Sequence, residues 1–193
     1  MLHLRMNVIN NRLFAITGCG PIGLLAIAVA KQCGAAQVFA LEVNEYRRKL
    51  AAQMNADLVF DPVRHDTKSM MMDATGGRGV DVLLEMSGHP DAIKLGFSVL
   101  RSGRRASLLG IPSKPLQMDL AADVIFKGAT LLGINGRRMY ETWYQMQALL
   151  KAGKLDLQPV ITDRIAIKQI VQGMERLNAG AASKILLYPN GVV

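Results

Sequence analysis

Cysteine is nearly absent. Two in 193 residues cannot form a disulfide framework or a four-cysteine zinc site. Aromatic residues are scarce too, at 5%, and no basic run interleaves with them. That argues against a nucleic-acid partner despite a net charge of +8. The basic residues fall instead in scattered pairs such as Arg47-Arg48, Arg104-Arg105 and Arg137-Arg138. The longest apolar run, residues 22–30, is about half of the roughly 20 residues a membrane span needs. Arg5, Asn7, Asn10 and Asn11 stand where a secretory signal requires an apolar stretch. With 50% apolar and 20% charged residues the chain is not disordered. These absences leave a soluble, cytoplasmic, single-domain globular protein with neither nucleic acid nor membrane as partner.

What is present is an alternation of short β-rich runs with helical stretches. Strands are predicted at residues 13–17, 36–41, 57–60, 80–85, 105–111 and 130–134, with a further strand at 184–188. Helices are predicted over 24–33, from an N-cap at Asn44 through 54, over 67–74, from Pro90 to about 100, over 140–151 and near 168–178. Ser102-Gly103 reads as a turn, and the stretch around Pro159 as a loop. Apolar strands separated by helices define an α/β fold: a doubly wound parallel sheet of about six strands, in one domain.

The most specific local signal is Gly18-Cys19-Gly20-Pro21-Ile22-Gly23, which follows a strand and opens a helix. In that setting Gly18 permits a tight turn and Gly20 lets the backbone approach a pyrophosphate. Gly23 lets the helix pack closely on the strand, and the helix amino terminus offers N–H groups to the phosphates. Glu42, 19 residues beyond Gly23, ends the second strand where a carboxylate accepts both adenosine ribose hydroxyls. It favours NAD over NADP, although Arg47 and Arg48 lie near enough to receive a 2′-phosphate. Ser87-Gly88 and Leu109-Gly110-Ile111 end later strands at the same ligand-binding edge; both read equally as ordinary turns. Cys19 is expected to pack under the glycine loop, and Met70-Met71-Met72 to pack a helix. His89 reads as a loop residue, and His3 and His65 have no ligand-spaced partner. No catalytic triad or metal-binding set emerges, so no catalytic or metal residue is assigned.

These residues resemble the nucleotide-binding half of the zinc-dependent medium-chain dehydrogenases, most of all the L-threonine 3-dehydrogenase branch. The segments that carry the resemblance are Thr17-Gly-Cys-Gly-Pro-Ile-Gly23, Val43-Asn-Glu-Tyr-Arg47, Asp81-Val-Leu-Leu-Glu-Met-Ser-Gly88 and Leu108-Leu-Gly-Ile-Pro112. Val124-Ile-Phe-Lys-Gly128 and Gly136-Arg-Arg-Met-Tyr-Glu-Thr-Trp-Tyr144 are the more particular ones. The resemblance implies a Rossmann domain over residues 13–193, with 1–12 an unassigned lead-in. It implies pyrophosphate contact at Ile22, the ribose carboxylate at Glu42, Arg47 beside the adenosine, and Leu109, Gly110, Ile111, Ile134 and Asn135 along the nicotinamide. It further implies zinc-assisted oxidation of threonine to 2-amino-3-ketobutyrate, with hydride passing to NAD, and pairing of like chains through sheet edges. In such proteins the zinc ligands belong to a separate domain on the amino-terminal side. The expectation is therefore a truncated NAD(H)-binding chain, not catalytic alone; a dinucleotide-sensing or oligomerisation module is the alternative. Two departures follow from the same comparison: His89 stands where a small residue is expected, and the last strand has no partner to meet.

Overall fold

The computed structural model describes residues 11–136 and 138–191, so His3, Arg137 and most of the lead-in lie outside the described residues. Six parallel strands form the main sheet: β1 Leu13–Thr17, β2 Gln37–Leu41, β3 Leu58–Phe60, β4 Val80–Glu85, β5 Leu100–Leu108 and β6 Thr130–Gly133. Their order is β3-β2-β1-β4-β5-β6. Helices α1 Pro21–Gln32, α2 Glu45–Gln53, α3 Thr67–Ala74 and α4 Pro90–Val99 make the crossovers.

Strand periodicity decides which side chains meet which helices. Phe14, Ile16, Val38, Ala40, Val82 and Leu84 share one face and pack with Leu24 and Ile27 of α1 and Leu50 of α2. Ala15, Phe39, Leu41 and Leu83 share the other, against Met71 of α3 and Ile93 and Phe97 of α4. Both faces are buried, which is why these strands read as nearly continuous apolar runs rather than alternating ones. The doubly wound expectation is met.

Several boundaries differ from those predicted, and β5 ends at Leu108, three residues before the predicted 111. Helix α1 starts at Pro21, because proline at the first helical position loses no intrahelical hydrogen bond. Strand β5 begins at Leu100, ahead of the predicted turn, and the turn survives as a bulge inside it. Val80 opposes Leu100 whereas Val82 opposes Arg105, so five residues of β5 span what two span in β4. Gly103, at φ +70°, allows the excess to fold out. The stretch after Pro159 is not all loop. Strand β7, Ile161–Ala166, pairs in parallel with β8, Lys184–Tyr188, in a separate two-stranded sheet, so the last strand does have a partner. Charged Asp163 and Arg164 interrupt the apolar pattern of β7, and its partner lies across helix α6, Ile170–Asn178. The last helix of the main unit, α5, spans Glu141–Lys151.

A single lysine ties α4 to β5. Lys127 Nζ donates to the carbonyls of Phe97 (2.5 Å) and Leu100 (2.8 Å), at the point where α4 ends and β5 begins. Partial burial pushes its ammonium below the ordinary lysine range. Replacing Lys127 by methionine keeps the apolar stem and removes both donors. The expected cost is roughly 1–3 kcal/mol, measured as a lower urea midpoint at unchanged slope.

Candidate functional site

The carboxyl ends of β1 and β4 lie side by side at the centre of the sheet, and the chains leaving them cross over toward opposite edges. Such a switch point opens a crevice at the strand ends. Around it stand the loops after β1, β2, β4, β5 and β6 and the first turns of α1 and α2, which carry the site residues named from the sequence.

The glycine turn is set by contacts that a side chain would break. Gly18 has φ +81°, and a Cβ there would lie 2.8 Å from the Cβ of Ser87. A Cβ on Gly23 would lie 2.0 Å from the carbonyl oxygen of Gly18, so α1 sits directly on the turn. Gly20 has a different reason to be small: nothing lies within 4 Å of where its Cβ would be. It is the N-cap of α1, no side chain caps that end, and Pro21 follows at the first helical position. Ile22 is exposed beside it.

Glu42 follows β2 and is buried next to this turn. Its Oε2 accepts from the Cys19 N–H (2.7 Å) and its Oε1 from the Asn44 N–H (2.9 Å). Asn44 caps α2 as predicted, accepting from the Arg47 N–H. The two arginines beside it separate in role. Arg48 donates to the carbonyls of Glu42 and Val43 and pairs with Asp61 at 3.0 Å. Arg47 Nε is buried with no hydrogen-bond partner.

The residue that sequence reasoning missed is Glu85, the last of β4 and 1% exposed. Its Oε1 accepts from the Thr17 hydroxyl (3.2 Å), the Ser87 N–H (2.9 Å), the Ser87 hydroxyl (2.5 Å) and the Gly88 N–H (3.1 Å). Its carbonyl accepts from the N–H groups of Leu109 and Gly110. A carboxylate closing an otherwise apolar strand just before Ser-Gly was the available signal. Gly110 and Gly88 complete the cluster. A Cβ on Gly110 would lie 2.2 Å from the Gly88 nitrogen, and one on Gly88 2.6 Å from the Ile111 carbonyl oxygen. The Ile134 N–H donates to the Leu108 carbonyl, which brings Ile134 and Asn135 beside Leu109. Ile111 is almost fully exposed on this rim.

The remaining candidates have structural explanations. Cys19 is fully buried against the core; burial first, and then the nearby Glu42 charge, push its thiol far above the ordinary range. His89 caps α4, its Nδ1 accepting from the Asp91 N–H. Of the three methionines, Met71 is buried in the core while Met70 is largely exposed, so only part of that run packs as expected. His65 is exposed in the turn before α3. Among the described residues, no group of three or more His, Cys, Asp or Glu is placed to hold a metal ion, and no helix is long and apolar enough to cross a membrane.

Strand order, glycine turn and strand-ending acid together define a Rossmann-type α/β sheet. Residues 21–152 match the zinc-binding dehydrogenase family, and the chain belongs to that family. The L-threonine 3-dehydrogenase of Symbiobacterium thermophilum is 48% identical over 176 residues, which is 91% of this chain and 50% of that protein. That of Bacillus subtilis is 42% identical over 175 residues, again 91% and 50%. The chain thus spans about half the length of the curated relatives it matches. Among solved structures, an alcohol dehydrogenase of Thermotoga maritima superposes with a TM-score of 0.85 at 28% identity, covering 94% of this chain and 51% of that one. The 2R,3R-butanediol dehydrogenase of Bacillus subtilis does so at 0.85 and 28%, covering 94% and 52%.

Two measurements test this geometry. Glu85→Gln removes the charge from four accepted hydrogen bonds and is expected to cost about 2 kcal/mol, seen as a lower midpoint in urea. In the folded protein at pH 8, the Cys19 thiol should stay unreactive toward a disulfide reagent, and it should titrate fully once the chain is unfolded.

Proposed function

We propose that this chain binds NAD(H) in the crevice and serves as the nucleotide-binding half of an L-threonine 3-dehydrogenase-like oxidoreductase, with residues 13–193 as its Rossmann domain and 1–12 as a lead-in. The observation that carries the reading is Glu42. Backbone N–H groups occupy one site on each of its oxygens, and a carboxylate has about four acceptor sites. The remaining two match the paired hydroxyls of an adenosine ribose.

Three features beside it suit the same ligand. The open space at Gly20 admits a pyrophosphate against the backbone, and the uncapped end of α1 supplies N–H donors and positive potential. The partnerless Nε of Arg47 offers a donor near the adenosine side. Arg48, held by Asp61, is already engaged, which leaves the carboxylate to favour NAD over NADP. Gly18, Pro21, Ile22 and Gly23 shape the phosphate turn. Ser87, Leu109, Gly110, Ile111, Ile134 and Asn135 line the nicotinamide end, where Glu85 holds their loops.

When bound, NAD supplies the hydride acceptor for conversion of threonine to 2-amino-3-ketobutyrate. These residues bind and orient that acceptor. The described residues do not suit zinc, so its chemistry is assigned to the portion of the relatives that this chain does not span. The isolated chain is accordingly a binder without threonine turnover, in a cytoplasmic setting.

The β6 edge supports a further element of the reading, a homo-oligomer formed through sheet edges. Thr130–Gly133 borders the sheet with Leu131 partly exposed, and Ile125 and Phe126 are exposed on the preceding turn. A monomer in light scattering across a wide concentration range would remove that element alone.

Titration of NADH and NADPH by calorimetry is the direct test. NADH is expected to bind more tightly than NADPH, and Glu42→Ala should weaken NADH by at least about tenfold, or about 1.4 kcal/mol. No NADH binding at millimolar concentration would overturn the proposal. NAD-dependent threonine oxidation by the chain alone would overturn its non-catalytic part.

A further inference from the structure

We propose a second binding site at the opposite, amino-terminal edge of the main sheet, where Arg12, Arg78 and Arg101 line a cleft with Asp81 and take a compact phosphate-type anion such as pyrophosphate. It is independent of the nucleotide reading.

The bulge in β5 makes the site. The residues it throws out, 101–104, include two arginines, and both land on the second residue of β4. Asp81 Oδ1 is approached by Arg104 Nε at 3.0 Å, Arg101 Nε at 3.1 Å and Arg12 at 3.4 Å. The other oxygen, Oδ2, accepts from the Leu13 N–H at 3.0 Å. Three guanidiniums therefore share one carboxylate oxygen, and the group carries two uncompensated positive charges. Asp57, another carboxylate at this edge, does not offset them, since it pairs with Lys31 at 2.8 Å and accepts from the Val38 N–H. Burial first, and then the Arg101 and Arg12 charges, push the Arg104 guanidinium below its ordinary value, with Asp81 opposing. The arginines are crowded and repel one another.

Each of the three paired arginines keeps about a third of its side chain accessible: 34% for Arg12 and 28% for Arg101 and for Arg104. Arg12 and Arg101 open onto a cleft of about 250 Å³ that Arg78, Asp81, Asn11, Leu13 and Ala36 also line. A recess of about 30 Å³ on the other side of Asp81 is lined by Arg104 and Arg105. The cleft is smaller than the roughly 300–1,000 Å³ of sites for drug-sized ligands, which suits a compact anion. Planar guanidiniums with paired donors are matched to phosphate oxygens. A multivalent phosphate would neutralise the surplus charge that Asp81 leaves.

Calorimetric titration with inorganic pyrophosphate at low ionic strength tests the site, with sodium chloride at equal ionic strength as control. Because the glycine turn also suits pyrophosphate, Gly20→Val is titrated alongside to block that route. Binding at the arginine edge should persist in Gly20→Val and weaken at least about tenfold in Arg101→Gln and in Arg78→Gln. Arg78 forms no pair with Asp81, so its variant reads the cleft even if Arg101→Gln does not fold. Binding lost in Gly20→Val, unchanged in Arg78→Gln, absent from the starting protein, or matched by chloride would each overturn the proposal.

Discussion

A buried carboxylate organises the crevice. Taking Glu85 out of water is unfavourable unless donors replace the lost hydration, and here the chain supplies them from two places. The Thr17 hydroxyl comes from the end of β1, and the Ser87 and Gly88 groups come from the turn after β4. The Glu85 carbonyl meanwhile holds Leu109 and Gly110 beyond β5. The strand ends at the switch point are thereby fixed relative to one another. The close approaches of Gly18 to Ser87 and of Gly110 to Gly88 in that frame leave no room for a Cβ. Glu42 repeats the device two strands over, after β2, using the Cys19 and Asn44 N–H groups.

The parts of this arrangement that were legible in the sequence are the local ones. The glycine turn is six consecutive residues whose sizes are dictated by backbone approach, and Glu42 lies at a fixed distance along one βαβ unit. Asn44 announced itself as an N-cap because its partner is three residues away. Glu85 has local donors in Ser87 and Gly88, but its role in joining strands stayed hidden because Thr17, which ties it to β1, lies 68 residues earlier. The division between Arg47 and Arg48 was unreadable for a similar reason: Asp61, which engages Arg48, arrives from the far end of β3. Strand β7 was lost because it pairs outside the main sheet, and polar Asp163 and Arg164 obscure its apolar pattern. The extra residues in β5 read as a turn, which they are, but only the pairing with β4 shows that the strand resumes on both sides of it.

The two edges of the sheet handle charge in opposite ways. At the carboxyl edge, Glu42 and Glu85 accept hydrogen bonds from the surrounding loops and strand ends. At the amino edge, arginines converge on Asp81 and leave charge in excess. Part of the net +8, scattered along the sequence, is therefore concentrated in space by the fold. Sequence pairs such as Arg104-Arg105 did not reveal this, because Arg12 and Arg101 join them through strand pairing.

One amide side chain joins the crevice to the two-stranded layer. Asn44 holds Glu42 through its backbone N–H, caps α2 through its Oδ1, and donates from Nδ2 to the carbonyl of Gly180 at 3.2 Å. A Cβ on Gly180 would lie 2.6 Å from that nitrogen, so the turn rests directly on it. The carboxyl-terminal layer is thus tethered, through a single amide, to the same residue whose N–H holds the acid.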